Sequence, residues 1–272
     1  MNSILKGSSL LTSAFFMLAI MGFSSSAGAV DMTVAGSTTV QPLAELLAES
    51  YESFTDGITI IVQGGGSSVG VKSAADGTAD IGMASREVKN SEFEEHPALI
   101  VHTIARDGIA IVIHPGSGVS SLSLEQVRGI FSGEITNWSE VGGENTPVIV
   151  VSREEGSGTR AAFEDMVMDD ELICLGAILQ PSNGAVRTTV SITPSSIAYL
   201  SFGYLDSSVA PVTIDGVPPT VANATGGSYP VVRPLNMVTL GQPSEAAAGW
   251  LDFILGEDGQ AIVVSEGYLP VN

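Results

Sequence analysis

Short runs of β-branched and aliphatic residues recur along this chain. Each is closed by a turn rich in Gly, Ser or Thr and followed by a segment of helical periodicity. Residues 32–35 (MTVA) predict a strand, GSTT at 36–39 a turn, and residues 42–54 an apolar-periodic helix. Pro42 falls in the first turn of that helix, where its missing N–H would be unpaired anyway. Residues 58–62 predict the next strand, which runs into QGGGSSVG at 63–70 and then a short helix over 71–76. A third strand over 79–84 ends at Ser85-Arg86. The fourth unit is the fullest: VIVV at 148–151, the polar turn SREEGSGT at 152–159, and a helical pattern opening at Arg160. Strands alternating with helices predict an α/β architecture. In open parallel sheets, ligands gather at the carboxyl ends of strands, where such turns meet.

Between and beyond these units the pattern changes. The apolar run over 104–114 is too long for one buried strand and predicts a crossing from one domain to another, with 231–240 as the return. Ser123 and Gln126 make a capping box for a helix over 123–131, and Trp138 reads as a core residue in the turn-rich segment behind it. Residues 186–190 and 244–255 read as helical, and Tyr199, Phe202 and Tyr204 as packing residues. Residues 206–229 are loop-rich, with Pro211, Pro218, Pro219 and paired glycines at 226–227. No internal repeat or low-complexity tract is present.

Composition narrows the picture. With 44% hydrophobic and 15% charged residues in 272, the chain has material for a large core and is not of the disordered class. Residues 10–23 form an apolar run behind Lys6, and Ala27-Gly28-Ala29 fits the small-residue cleavage pattern of a secretory leader. The run is short for a membrane span, so cleavage after Ala29 is expected, which makes residues 1–29 a signal peptide. The single cysteine, Cys174, reads as a small core residue. It cannot pair within the chain, and no cysteine follows the leader to carry a lipid. The net charge of −20 makes nucleic acid and anionic membranes poor partners. It also makes the few cations informative: Lys72, Arg86, Arg153 and Arg160 all lie in or beside the turns described above.

A strand that feeds through a Gly/Ser/Thr turn into a helix leaves backbone N–H groups unpaired at the positive end of the helix dipole, a geometry that holds anions. Ser157 and Thr159 add hydroxyl donors, and Arg153 and Arg160 add charge suited to a tetrahedral oxyanion. The same residue types cap ordinary helices; it is the recurrence of such turns that favours an anion site. Competing motifs are incomplete. Residues 66–70 form a G-x-S-x-G, but the histidines at 96, 102 and 114 lie far closer than a hydrolase triad requires. The P-loop lysine is one place late at Lys72, and G-x-G-x-x-A at 156–161 lacks its downstream acid. The histidines do not have metal-ligand spacing, so no metal and no cofactor are expected.

The stretches VAGSTTVQPLAE, IIVQGGGSSVGVKSAADGTADIGMASREV, LSLEQVRGIFSGEITNWSEVGG and VSREEGSGTRAAFE together resemble the phosphate-binding subunit of phosphate ABC importers. NGAVRTTVSITPSSIAYLSFGYL and YPVVRPLNMVT extend the resemblance over almost all of the chain after the leader. The resemblance implies a type II-like periplasmic-binding-protein fold, two α/β lobes joined by two crossing strands and closing like a hinged clamp. Lobe 1 would comprise 30–110 with 234–272, and lobe 2 would comprise 111–233. It further implies a monomeric, non-enzymatic receptor, exported to the periplasm or cell surface, that takes inorganic phosphate to a membrane permease.

Matched residue by residue, the resemblance puts Thr38, Thr39, Ser67, Ser85, Arg153, Ser157, Gly158 and Thr159 on the anion, with Ser37, Glu155 and Arg160 in support. Glu155 matches the acid that orients the arginine. At Ser85-Arg86 the chain departs from well-known members, which carry an aspartate after the serine to accept the phosphate proton. Arg86 cannot accept a proton and is expected to contact the anion instead. Glu155 and Asp107 are the candidate acceptors. A second departure, Ile197-Ala198-Tyr199 where Ile-Gly-Tyr is usual, is expected to affect local packing only. Alternatives are a receptor for sulfate, tungstate or molybdate, a phosphate-ester hydrolase using Ser68 or Ser157, or a sensory or adhesive protein that kept the fold.

Overall fold

The computed structural model describes residues 30–271, so the leader expected over 1–29 lies outside the described residues. The chain begins β1 (Val30–Gly36), α1 (Gln41–Glu52), β2 (Ile58–Gly64), α2 (Ser67–Ala75), β3 (Ile81–Ala84) and α3 (Asn90–Glu95). Strand β4 (Leu99–Ile113) leads to β5 (Ser121–Leu122), α4 (Leu124–Ser132), β6 (Ile149–Arg153) and α5 (Gly158–Phe163), which runs on through a π-helical turn to Met168. Then come β7 (Ile178–Gln180), α6 (Asn183–Ile192), β8 (Ser196–Ser201), β9 (Ala210–Pro211), β10 (Thr213–Ile214) and α7 (Val221–Thr225). The chain returns along β11 (Val232–Leu240) and ends with α8 (Glu245–Leu255) and α9 (Glu257–Ser265).

The main sheet has the order β2-β1-β3-β11-β4-β8-β6-β7. β1 is parallel to β2 and β3, and β6 is parallel to β7 and β8, while β11 and β4 run antiparallel to each other through the middle. The apolar run expected to be too long for one strand is a single strand of 15 residues. It stays paired by changing partner: Leu99 to Gly108 lie against β11, and Ile109 to Ile113 lie against β8. Gly108 stands at that change, and any side chain there would enter the ring of Phe202.

Two hydrophobic cores flank this exchange. One gathers Leu43, Leu47, Ile81, Met83, Ile104, Leu235 and Trp250 around the first half of the sheet. The other gathers Ile109 to Ile113, Phe131, Trp138, Phe163 and Tyr199 around the second. Along β4 the core membership switches between Ala105 and Ile109. At about 25 cal/mol per Å² of apolar surface buried, side chains of this size each contribute on the order of 1.5–3 kcal/mol, so each half holds its own strand ends rigidly.

Several helices start earlier than periodicity suggests, and two of these changes bear on the turns. α2 begins at Ser67 because Gly65 and Gly66, at φ of 158° and 91°, turn the chain out of β2 within two residues. α5 begins at Gly158 because the Ser157 hydroxyl accepts the Arg160 N–H and caps it. The capping box of α4 at Ser123 and Gln126 is present, and Trp138 is buried with its indole N–H on the Ser195 carbonyl.

Candidate functional site

The turns at the carboxyl ends of β1, β2, β3 and β6 converge between the two cores. Their hydroxyls bond one another directly. Ser37 Oγ donates to Ser85 Oγ at 2.9 Å, and the Ser85 N–H donates to Ser67 Oγ at 3.0 Å. Thr39 Oγ1 lies 3.0 Å from Thr159 Oγ1 of the other half. Gly158 packs against the Ser67 and Ser85 hydroxyls, so closely that a Cβ there would collide with Ser67 Oγ. Ser37, Thr39, Ser67, Ser85, Ser157 and Thr159 are all buried.

The polarity of this network can be read from its donors. Thr39 Oγ1 receives Asn183 Nδ2 at 2.8 Å and Arg233 Nη2 at 3.3 Å. A hydroxyl has two acceptor lone pairs and one proton, so Thr39 must give its proton to Thr159. Tyr204 and Tyr268 donate to the carbonyls of Thr38 and Thr39, at 2.7 and 3.2 Å, and hold the β1 turn from both sides.

Arg153 closes the cluster from the second half. Its Nε donates to the Gln180 carbonyl at 3.1 Å, and its Nη2 to the Pro181 carbonyl at 2.9 Å and Thr38 Oγ1 at 3.2 Å. Nη1 is buried and has no hydrogen-bond partner among the described residues. Burial pushes the guanidinium pKa down to about 10, so it stays charged at neutral pH. The backbone of β6 is pinned where it delivers this side chain: the Tyr199 hydroxyl is 2.7 Å from Ser152 Oγ and accepts the Arg153 N–H at 3.2 Å. The Tyr199 ring in turn stacks on Phe163 with centroids 4.2 Å apart. Arg160 supports the same strand end, donating Nη1 to the Arg153 carbonyl at 3.1 Å while Nε pairs with Glu164 at 2.7 Å.

The comparisons with known proteins bear on the family and the fold. A family model described as the PBP superfamily domain matches residues 23–258. A phosphate-binding protein, PstS, of Bacillus subtilis is 35% identical over 242 residues, spanning 88% of this chain and 80% of the relative. The chain belongs to the phosphate-binding protein family of the PBP superfamily. A Clostridium perfringens structure described as a phosphate ABC transporter substrate-binding protein with bound phosphate superposes with a TM-score of 0.86 at 38% identity, covering 89% of this chain and 100% of that one. An ABC-type phosphate transport receptor from Vibrio cholerae gives 0.74 at 32% identity, covering 88% and 99%. The periplasmic-binding-protein fold expected from the sequence is the fold observed.

Two expected roles are not met by the geometry. Arg86 is not on the hydroxyl cluster. Its two terminal nitrogens donate to Glu92 at 2.8 Å each, and Ser68 Oγ and the Glu87 carbonyl accept its remaining hydrogen bonds. Glu92 stands at the third position of α3 and also accepts the Lys89 N–H, so the pair braces that helix. Burial alone would raise the Glu92 carboxyl, but Arg86 and the Lys89 N–H hold it below its ordinary value. Arg86 instead lines a cleft of about 280 Å³ with Ser68, Lys89, Glu155 and Arg160. Glu155 does not orient Arg153: it is exposed in that cleft, and the carbonyls of Gln180 and Pro181 do the orienting.

Arg233 and Asn183 went unforeseen, and Asp107, expected as a proton acceptor, stands in another role. Arg233 and Asp107 form a buried pair, with Arg233 Nε and Nη2 on one carboxylate oxygen at 3.1 and 2.8 Å. The other oxygen accepts the Ser201 hydroxyl at 3.0 Å and the Phe202 N–H at 3.1 Å. Burial pushes the Asp107 carboxyl up, and the Arg233 charge pulls it back. A carboxylate has about four lone-pair sites, so this one has none spare for a ligand proton. Asn183, at the start of α6, is the other unforeseen residue. A charged residue inside each of two apolar runs was the available signal, since a buried charge needs a partner.

Proposed function

We propose that this chain is an exported receptor that closes two lobes on inorganic phosphate and hands it to the membrane permease of an ABC importer. The observation that carries the reading is Arg153 Nη1, buried without an acceptor among hydroxyls from both halves of the molecule. An unpaired charged donor out of water costs roughly 1–3 kcal/mol or more. An oxyanion seated there would relieve that cost with charge-assisted bonds. Thr38, Thr39, Ser67, Ser85, Arg153, Ser157, Gly158 and Thr159 form the proposed binding set, with Ser37 and Arg160 supporting it. The two cores, divided along β4, support lobes of 30–110 with 234–272 and of 111–233.

The role is capture without catalysis. Among the described residues, Ser68 Oγ bonds Arg86 and Ser157 Oγ caps α5, and no histidine hydrogen-bonds either hydroxyl. A second reading, a broader oxyanion receptor, draws on Asp107, whose lone pairs are all taken. Calorimetric titration of the purified protein with phosphate, then sulfate, at pH 5 and pH 8 separates the two. One-to-one phosphate binding with sulfate ignored is the expected result. Equal binding of both would establish the broader receptor, and no heat with either would refute capture altogether.

A further inference from the structure

Among the described residues, three arginines are buried: Arg86, Arg153 and Arg233. Glu92 takes up Arg86, which leaves two guanidinium groups at the hydroxyl cluster. The hydrogens of Arg233 can be assigned one by one. Nε and one hydrogen of Nη2 go to Asp107, and one hydrogen of Nη1 goes to the Ser85 carbonyl at 2.9 Å. The other two point at hydroxyls, Thr39 Oγ1 at 3.3 Å and Ser85 Oγ at 3.4 Å. Bonds of that length to neutral oxygens sit at the weak edge of hydrogen-bond geometry. Both hydroxyls belong to the cluster that Arg153 reaches from the other half. Arg153 and Arg233 are close enough that the charge of one disfavours the charge of the other. Two buried like charges facing one set of hydroxyls make a site for an anion between them.

We propose that Arg233, held in place by Asp107, is the second cationic ligand of the bound anion. The anion is thus gripped by guanidinium groups from β6 on one side and β11 on the other. This inference rests on the phosphate reading above and names a ligand that reading does not contain. Asp107 is a positioning residue: Ser201 and the Phe202 N–H hold one of its oxygens, and its other oxygen fixes the plane of the Arg233 fork. The pair leaves no net charge of its own, so the cluster's excess positive charge comes from Arg153.

The test is calorimetric titration with inorganic phosphate of the wild-type protein and of R233M, R233K, D107N and the D107N/R233M double variant, with thermal melting as the check on folding. Removing a charge-assisted, two-pronged grip from a desolvated site should weaken affinity by about 100-fold in R233M and about tenfold in R233K, which keeps the charge but not the fork. D107N is expected to weaken binding about tenfold in the wild-type background and less than about twofold on top of R233M, because its effect runs through the arginine. If R233M fails to fold around its unpaired aspartate, the double variant, with no buried charge at either position, decides. A folded R233M or double variant that binds within about threefold of wild type would overturn the role of Arg233. An equal cost of D107N on both backgrounds would overturn the positioning role of Asp107. Wild-type protein that takes up no phosphate would instead overturn the reading on which the proposal rests.

Discussion

Replacing Arg153 by Met separates binding from folding more cleanly than any other single change at this site. In the folded protein the substitution removes bonds from Nε and Nη2 to Gln180, Pro181 and Thr38. At about 1.5 kcal/mol net for each, the low end for a bond from a charged group, that is a loss of about 4.5 kcal/mol. It also removes a buried charge whose Nη1 has no acceptor, returning about 1–3 kcal/mol, and a methionine fills most of the volume. Stability should therefore fall by no more than about 3.5 kcal/mol, a drop in Tm of up to about 10 °C for a domain of this size. Binding has no such compensation. Two charge-assisted bonds from Nη1 to an oxyanion are worth about 1.5–3 kcal/mol each, so the loss is about 3–6 kcal/mol. At 1.4 kcal/mol per factor of ten, affinity falls by at least about 100-fold. Calorimetry with phosphate, beside a thermal melt of the same sample, reads both quantities. A well-folded Arg153→Met that binds phosphate within about threefold of wild type would remove Arg153 from the site.

Other expectations follow from single interactions. Gly158→Ala puts a Cβ into the Ser67 hydroxyl and 2.7 Å from Ser85 Oγ, wedging the two halves apart; phosphate affinity should drop at least about tenfold while the melting temperature moves little. Gly108→Ala drives a methyl into the Phe202 ring where β4 changes partner, and overpacking of about 1–3 kcal/mol should lower Tm by several degrees. Glu92 has a carboxyl pKa held below its ordinary 4.5, so the folded state binds fewer protons than the unfolded one just below that pH. Its contribution is complete above pH 4.5 and is lost as the pH falls through the folded pKa, so Glu92→Gln should flatten the acid limb of a stability-against-pH curve. Arg86→Met should lower Tm by loosening α3 and leave phosphate affinity within about threefold; a large loss of affinity would return Arg86 to the anion.

The reach of the sequence can be judged at particular residues. The Gly/Ser/Thr turns after β1, β2, β3 and β6 were legible because they recur at four strand ends, although each alone could be an ordinary helix cap. Parallel pairing puts the turns of β1, β2 and β3 at one edge. The β6 turn meets them because β6 runs the opposite way on the far side of the β4–β11 crossing, which the turns alone do not reveal. Arg233 was hidden because it sits in an apolar run, VVRPLNMVT, that reads as a crossing strand. Its partner Asp107 lies far away in sequence, and only the β4–β11 register sets the two opposite each other. Arg86 lies off the hydroxyl cluster for the converse reason. Its position in a motif suggested contact with the anion, but Glu92, six residues on, offers a two-pronged carboxylate at shorter range. Nothing in spacing alone ranks two such acceptors. Helix starts at Ser67 and Gly158 were missed because backbone turns at glycine and a single capping hydroxyl decide them, not periodicity.

Asp107 and Arg233 stand directly across the ladder from each other, on the two strands that run from one core into the other. In the proposed closure, a change of angle between the halves would be absorbed by the backbone of those strands, which would place this ion pair at the axle as well as at the proposed grip. For anyone turning the protein into an optical reporter, that doubles the meaning of a substitution there. A substitution at position 107 or 233 is then expected to change the resting angle along with the affinity, so that the signal range would shift with the sensitivity. Positions 157–159 are carried by the second half but pack on Ser67, Ser85 and Thr39 of the first, so bulk added there changes sensitivity by holding the halves apart.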